Sequence, residues 1–175
     1  TLHSGRQLLP YSVPAPQQVT DAFQRLLGQE DPVSLHGYTP AAGALDVRQS
    51  IAADLSARSG MDIRPQNLFL TCGAAPALLY VLRALAVAQA EVIAITPYFP
   101  EYRVYAEACG MRFVPTQADL DQFQINLTSL EDCITPHTQA VIVNSPNNPS
   151  GAVYSRETLQ KLAEVLARKS KEIGR

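Results

Sequence analysis

With 175 residues, 46% of them hydrophobic and 17% charged, the chain is long enough for one domain with a real core and too apolar for disorder. A net charge of −2 without any basic run excludes the electrostatic footprint of a nucleic-acid binder. Arg83 interrupts the longest apolar stretch, so no membrane span is expected.

Residues 1–16 carry Pro10, Pro14 and Pro16 without periodicity and read as an extended arm. Val19, Ala22, Phe23, Leu26 and Leu27 fall at helical spacing, with Gly28 as the stop. Asp31 to Gly43 reads as loop. Ala44 to Arg58 returns to helix, with Val47, Ile51 and Leu55 along one face and Gly60 as its end.

From there strands and helices alternate. Strands are expected at 67–71, 92–95, 112–114 and 140–143. Helices are expected at 76–88, opened by Pro76, at 98–109, ended by Gly110, at 127–134 with Asn126 as cap, and at 155–173 capped by Ser155. In the last of these Leu159, Leu162, Ala163 and Leu166 face inward, while Lys161, Arg168, Lys169 and Lys171 lie mostly on the wet side. Such alternation implies an α/β fold: a three-layer α/β/α arrangement around a mostly parallel sheet.

Three strand ends carry the chemistry. After Val143 comes Asn144-Ser145-Pro146-Asn147-Asn148-Pro149-Ser150-Gly151, a dense run of turn-forming residues before a capped helix. A junction past the carboxyl end of a strand is where open α/β sheets bind ligands, and a side-chain amide held there offers both a donor and an acceptor. Thr71-Cys72-Gly73-Ala74-Ala75-Pro76 joins strand to helix through small residues. It suits an anion seated on unpaired helix N–H groups, and equally suits plain close packing of strand and helix. Thr96-Pro97-Tyr98-Phe99-Pro100-Glu101-Tyr102 puts aromatic rings on the lip of the sheet, to stack on a flat ligand or to fill core; Tyr102 reads as core.

His3, His36 and His137 lack metal-ligand spacing, Asp119 and Asp121 read as a solvated loop, and no Gly-x-Ser-x-Gly elbow supports a hydrolase. No metal site is expected. Cys72, Cys109 and Cys133 are unclustered and, with no signal peptide, read as free thiols in a reducing cytoplasm. The chain opens at Thr1 and closes at Arg175 directly after a helix, so both ends read as cut.

Taken in order, these motifs resemble the fold-type I, pyridoxal-phosphate-dependent aminotransferases of classes I and II. The resemblance runs from Val13-Pro14-Ala15-Pro16 to about Gly174 and corresponds to less than half of a complete enzyme. It implies pyridoxal 5′-phosphate as cofactor, with the phosphate on the backbone of Ala74 and Ala75, the ring stacked on Phe99, and Asn148 donating to the phenolic oxygen near the substrate carboxylate. Tyr38-Thr39-Pro40-Ala41-Ala42-Gly43 resembles the family's Tyr-x-x-x-x-Gly segment, whose tyrosine reaches the phosphate of a neighbouring subunit; Tyr38 as a plain interface or core residue is the other reading.

The resemblance further implies a homodimer acting on an amino acid and a 2-oxo acid, with residues 1–43 as arm, helix and loop and 44–175 as a partial cofactor-binding large domain. Cis bonds are expected at Thr96-Pro97 and Asn148-Pro149. The departures matter as much. The chemistry needs a Schiff-base lysine, but the only lysines are Lys161, Lys169 and Lys171, none in the family's Ser-x-x-Lys context. The aspartate for the pyridine nitrogen and the carboxylate-binding arginine are expected past residue 175, and Leu9-Pro10-Tyr11 stands where relatives carry a Gly-Asn-Pro-like turn. The chain alone is therefore expected not to transaminate. A non-catalytic binding module or half of a split enzyme, and a lyase or decarboxylase of the same fold, are the alternatives.

Overall fold

The structure, a computed structural model, describes residues 14–29, 31, 35–117 and 119–174. The expected arm over 1–13, with His3 and the Leu9-Pro10-Tyr11 departure, lies outside the described residues. The chain divides into two compact units, Thr1–Leu70 and Thr71–Arg175.

The first unit holds α1 (Gln17–Gln29) and α2 (Leu45–Ser59). α1 runs through Gly28 for one more residue, so the glycine does not stop it. α2 ends where expected, at Gly60, whose φ of 72° lets its N–H reach Ser56 O at 2.9 Å. Of its expected inward face, Ile51 and Leu55 are half-buried and Val47 is exposed; the buried residue is Ala52, beside that face.

The strand expected over 67–71 is absent. Pro65–Asn67 forms a 3₁₀ turn, held by Asn67 Oδ1 accepting from Arg64 N at 3.0 Å, and the residues after it have no ladder partner among the described residues. Leu70 N instead donates to Ala42 O at 3.1 Å. A β-like sequence makes a strand only when another strand receives its hydrogen bonds. That contact places Leu70 over Gly43, which is buried with φ +94°; a Cβ there would lie 2.7 Å from Leu70 Cδ1. Gly43 is therefore the residue this turn requires.

The second unit carries α3 (Ala74–Leu85), β1 (Glu91–Ala94), α4 (Glu101–Ala108), β2 (Arg112–Pro115), α5 (Leu127–Cys133), β3 (Thr138–Ile142) and α6 (Arg156–Ile173). The strands form a parallel sheet in the order β2-β1-β3, with Val92 opposite Phe113 on one side and Ala140 on the other. β1 is buried on both faces, and its side chains alternate between two cores. Val92 and Ala94 pack with Leu82 of α3, Ala106 of α4, Phe113 and Ile142. Ile93 and Ile95 pack with Leu130 of α5, Leu162 of α6, Val114, Val141 and Tyr154. Two helices on each face make the expected three layers. Full burial of a side chain such as Ile93 contributes about 1.5–3 kcal/mol.

Local signals act as expected at two caps. Asn126 Oδ1 accepts from Ser129 N at 3.0 Å, and Ser155 Oγ accepts from Thr158 N at 3.0 Å. α4 starts at Glu101 rather than Tyr98, because Pro97 and Pro100 each push the preceding residue out of the helical region. On α6 Leu162 is buried, but Leu159 and Ala163 are exposed, and Lys169 is tucked between Glu131 and Glu172. The bonds Thr96-Pro97 and Asn148-Pro149 are cis, as expected, and Ser145-Pro146 is cis as well.

Candidate functional site

The chain leaves β1 into α4 on one face of the sheet and leaves β3 into α6 on the other. Adjacent strands whose following segments part in this way leave a crevice at their carboxyl ends, the switch point where open α/β sheets take ligands. The segments 95–100 and 143–155 flank it.

On the β3 side, two neighbouring asparagines have opposite fates. Asn147 is 6% exposed and fully committed. Its Oδ1 accepts from Ser150 Oγ at 2.8 Å and Ser150 N at 3.3 Å, and its Nδ2 donates to the Tyr154 hydroxyl at 3.4 Å. Its backbone N donates to Ala152 O at 2.8 Å and its carbonyl accepts from Gly151 N at 2.7 Å. Asn148 is exposed; its backbone N donates to Asn144 Oδ1 at 2.8 Å, and among the described residues its side-chain amide has no partner.

On the β1 side, Phe99 is half-buried and meets Tyr102 edge-on, with ring centroids 5.7 Å apart at 74°. Tyr98 packs on Phe113 at 4.9 Å, and Arg103 sits over the same ring at 5.1 Å. Thr96 N donates to Thr116 Oγ1 at 3.1 Å, while Thr96 Oγ1 is buried with no partner among the described residues. Burial pushes the Tyr154 hydroxyl above its ordinary pKa, the Asn147 bond opposes this, and nearby Tyr102 adds to the rise.

Ala74 and Ala75 open α3, whose other end feeds β1 through five residues, so the helix returns antiparallel to that strand. Its first N–H groups have no intrahelical acceptor. Gly73, at φ +98°, directs its own N–H to Thr71 O at 2.8 Å, and a Cβ there would meet nothing within 4 Å. The approach to Ala74 is therefore open, and Pro76 removes one donor from the first turn. Tyr38 belongs to the first unit and is fully exposed on the loop before Gly43. Cavities of about 420 Å³ between β3 and α6 and about 360 Å³ at the amino end of the sheet are lined by other residues. Among the described residues no His, Cys, Asp or Glu group is arranged to hold a metal ion, and no helix is long and apolar enough to cross a membrane.

Asn147 and Tyr154 escaped the sequence reading. Asn followed three residues later by Ser is an Asx-turn signal that could have separated the buried asparagine from its neighbour. Thr96 had no such signal, because only the closed packing around it reveals an orphaned hydroxyl.

Comparisons with known proteins bear on the family and the fold. The family model described as aminotransferase class I and II matches residues 2–171. The aspartate/prephenate aminotransferase of Thermus thermophilus is 32% identical over 151 residues, which are 86% of this chain and 38% of that one. The aspartate aminotransferase of Bacillus subtilis is 30% identical, with 86% of this chain and 37% of that one covered. An amino transferase of Eubacterium rectale superposes with a TM-score of 0.90 at 50% identity, over 94% of this chain and 42% of that one. The aspartate aminotransferase of Thermus thermophilus, solved with maleate, gives 0.80 at 31% identity. The chain spans about two fifths of the length of the relatives it matches. The family model over residues 2–171, together with a fold shared with these enzymes, makes the chain a member of the class I and II, fold-type I aminotransferase family.

Proposed function

We propose that this chain is the cofactor-positioning part of an enzyme that moves an amino group between an amino acid and a 2-oxo acid with pyridoxal 5′-phosphate. The observation that carries the reading is that a half-buried ring, Phe99, and the uncommitted amide of Asn148 follow the carboxyl ends of the adjacent strands β1 and β3. The residues present fit the group. The open start of α3 offers N–H groups of Ala74 and Ala75 to a phosphate, and the orphaned Thr96 hydroxyl leaves a polar atom unsatisfied at the end of β1.

When bound, pyridoxal phosphate supplies a carbonyl carbon for the amino group and an electron-withdrawing ring. The chain's own residues bind and orient. Ala74 and Ala75 hold the phosphate through main-chain donors, Phe99 supports one ring face, and Asn148 donates to the phenolic oxygen beside the substrate carboxylate. Tyr38 donates to the phosphate bound by a second copy, which makes the enzyme a homodimer with shared sites. Proton transfer needs an amine that this chain does not offer. Its three lysines all lie on α6, where Lys161 pairs with Glu157 at 2.7 Å and Lys169 with Glu172 at 3.2 Å. By itself the polypeptide therefore binds the cofactor weakly and does not transaminate. Three cysteines outside any disulfide fit a cytoplasmic setting. No observation favours a binding module or a lyase over this reading.

Titration with pyridoxamine 5′-phosphate, which needs no lysine, tests it. Binding should depend on the phosphate group, and Phe99→Ala should weaken it about three- to tenfold, the worth of one stacked ring. Indifference to the phosphate, or equal affinity of the Phe99→Ala chain, would refute the assignment.

A further inference from the structure

Resting on the cofactor role proposed for Asn148, we infer that Asn147 and Tyr154 form a clasp that aims the Asn148 amide, so that Asn147 is a positioning residue rather than a ligand contact. Every polar atom of Asn147 is used inside the loop, on Ser150, Gly151, Ala152 and Tyr154. Tyr154 anchors the clasp: it is 5% exposed, its ring packs with Ile93, Leu130 and Leu162, and its backbone N donates to Ser145 Oγ at 3.0 Å.

Asn148 sits between fixed points. Asn144 Oδ1 holds its N–H from before, and the Asn147–Ser150 bonds close the turn behind it. Backbone bonds alone could close a turn. Burying a whole amide gains little net stability, because each hydrogen bond replaces one to water, but its bonds are directional. What the buried amide adds is a fixed direction for the exposed amide beside it.

The test compares wild type, Asn147→Ala and Tyr154→Phe in the 175-residue chain; the second variant keeps the ring in the core, so folding is preserved if the first fails to fold. One arm records the Asn148 side-chain amide signals and the exchange rate of the Gly151 N–H by NMR. The other titrates pyridoxamine 5′-phosphate and its analogue lacking the ring hydroxyl.

The clasp predicts split or broadened Asn148 signals and faster Gly151 exchange in both variants. It also predicts a loss of about tenfold for pyridoxamine 5′-phosphate in Asn147→Ala, with no loss for the analogue. Equal losses for the two ligands would reduce Asn147 to a structural residue and overturn the inference, as would Asn148 signals unchanged in both variants. If wild type binds the two ligands equally, the proposed contact of Asn148 fails; the NMR arm then decides the clasp alone, split signals supporting it and unchanged signals overturning it.

Discussion

Glu91 is the most informative residue to perturb, because it is a carboxylate in the buried central strand. Its side chain is 6% exposed, accepts from Arg112 Nε at 2.9 Å, and accepts from Thr135 Oγ1 at 2.7 Å. It thereby ties β2 and the turn before β3 to the amino end of β1. Glu91→Gln keeps the shape and removes the charge. A charge-assisted hydrogen bond is worth about 1.5–3 kcal/mol. Arg112 is 62% exposed, so water recovers much of its share, and the amide keeps part of the Thr135 bond. A loss of about 2 kcal/mol at neutral pH follows.

The pH dependence gives the sharper test. Burial raises the Glu91 pKa, but the bonds from Thr135 and Arg112, the Arg112 charge and a contribution from His137 outweigh it, and the folded value falls below the ordinary 4.5. With the folded value depressed, the contribution is fully present above the unfolded value and is lost as pH falls through the folded one. Urea unfolding of both chains, followed by circular dichroism from about pH 7 to about pH 3, should show their gap constant above about pH 5 and closing below 4.5. A gap below about 0.5 kcal/mol, or one that stays the same across that range, would refute the reasoning.

Gly43→Ala combines a backbone at φ +94° with a Cβ 2.7 Å from Leu70, and should cost about 2–4 kcal/mol in denaturant unfolding. Adding Leu70→Ala should return only part of the steric share, because the Cβ it keeps would still lie 2.9 Å away; full recovery would mean that the backbone is unstrained. Leu130→Ala empties a fully buried position between α5 and the sheet and should cost about 2–5 kcal/mol, while a loss under about 1 kcal/mol would mean that the short helix collapses onto the gap.

What the sequence alone determined is what short-range chemistry controls. Asn126 and Ser155 cap their helices through bonds three residues away, Gly60 and Gly110 end theirs in left-handed backbone, and the apolar runs at 92–95 and 140–143 fall on strands, β1 buried throughout and β3 half-buried. The motif order was enough to indicate the family. Only the tertiary structure decided matters that depend on distant partners. Residues 67–71 are β-like in composition but have no neighbouring strand among the described residues, and Leu70 N donates to Ala42 O instead. Strand order, with β1 between β2 and β3, likewise depends on pairings between segments far apart in the chain. The same holds for Asn147 and Asn148, identical in type and adjacent in sequence. Tyr154, seven residues from Asn147, and the core beneath it bury one amide and leave the other facing out. A residue's local propensity can be read from its neighbours, but burial and hydrogen-bond partners exist only once the chain has closed on itself.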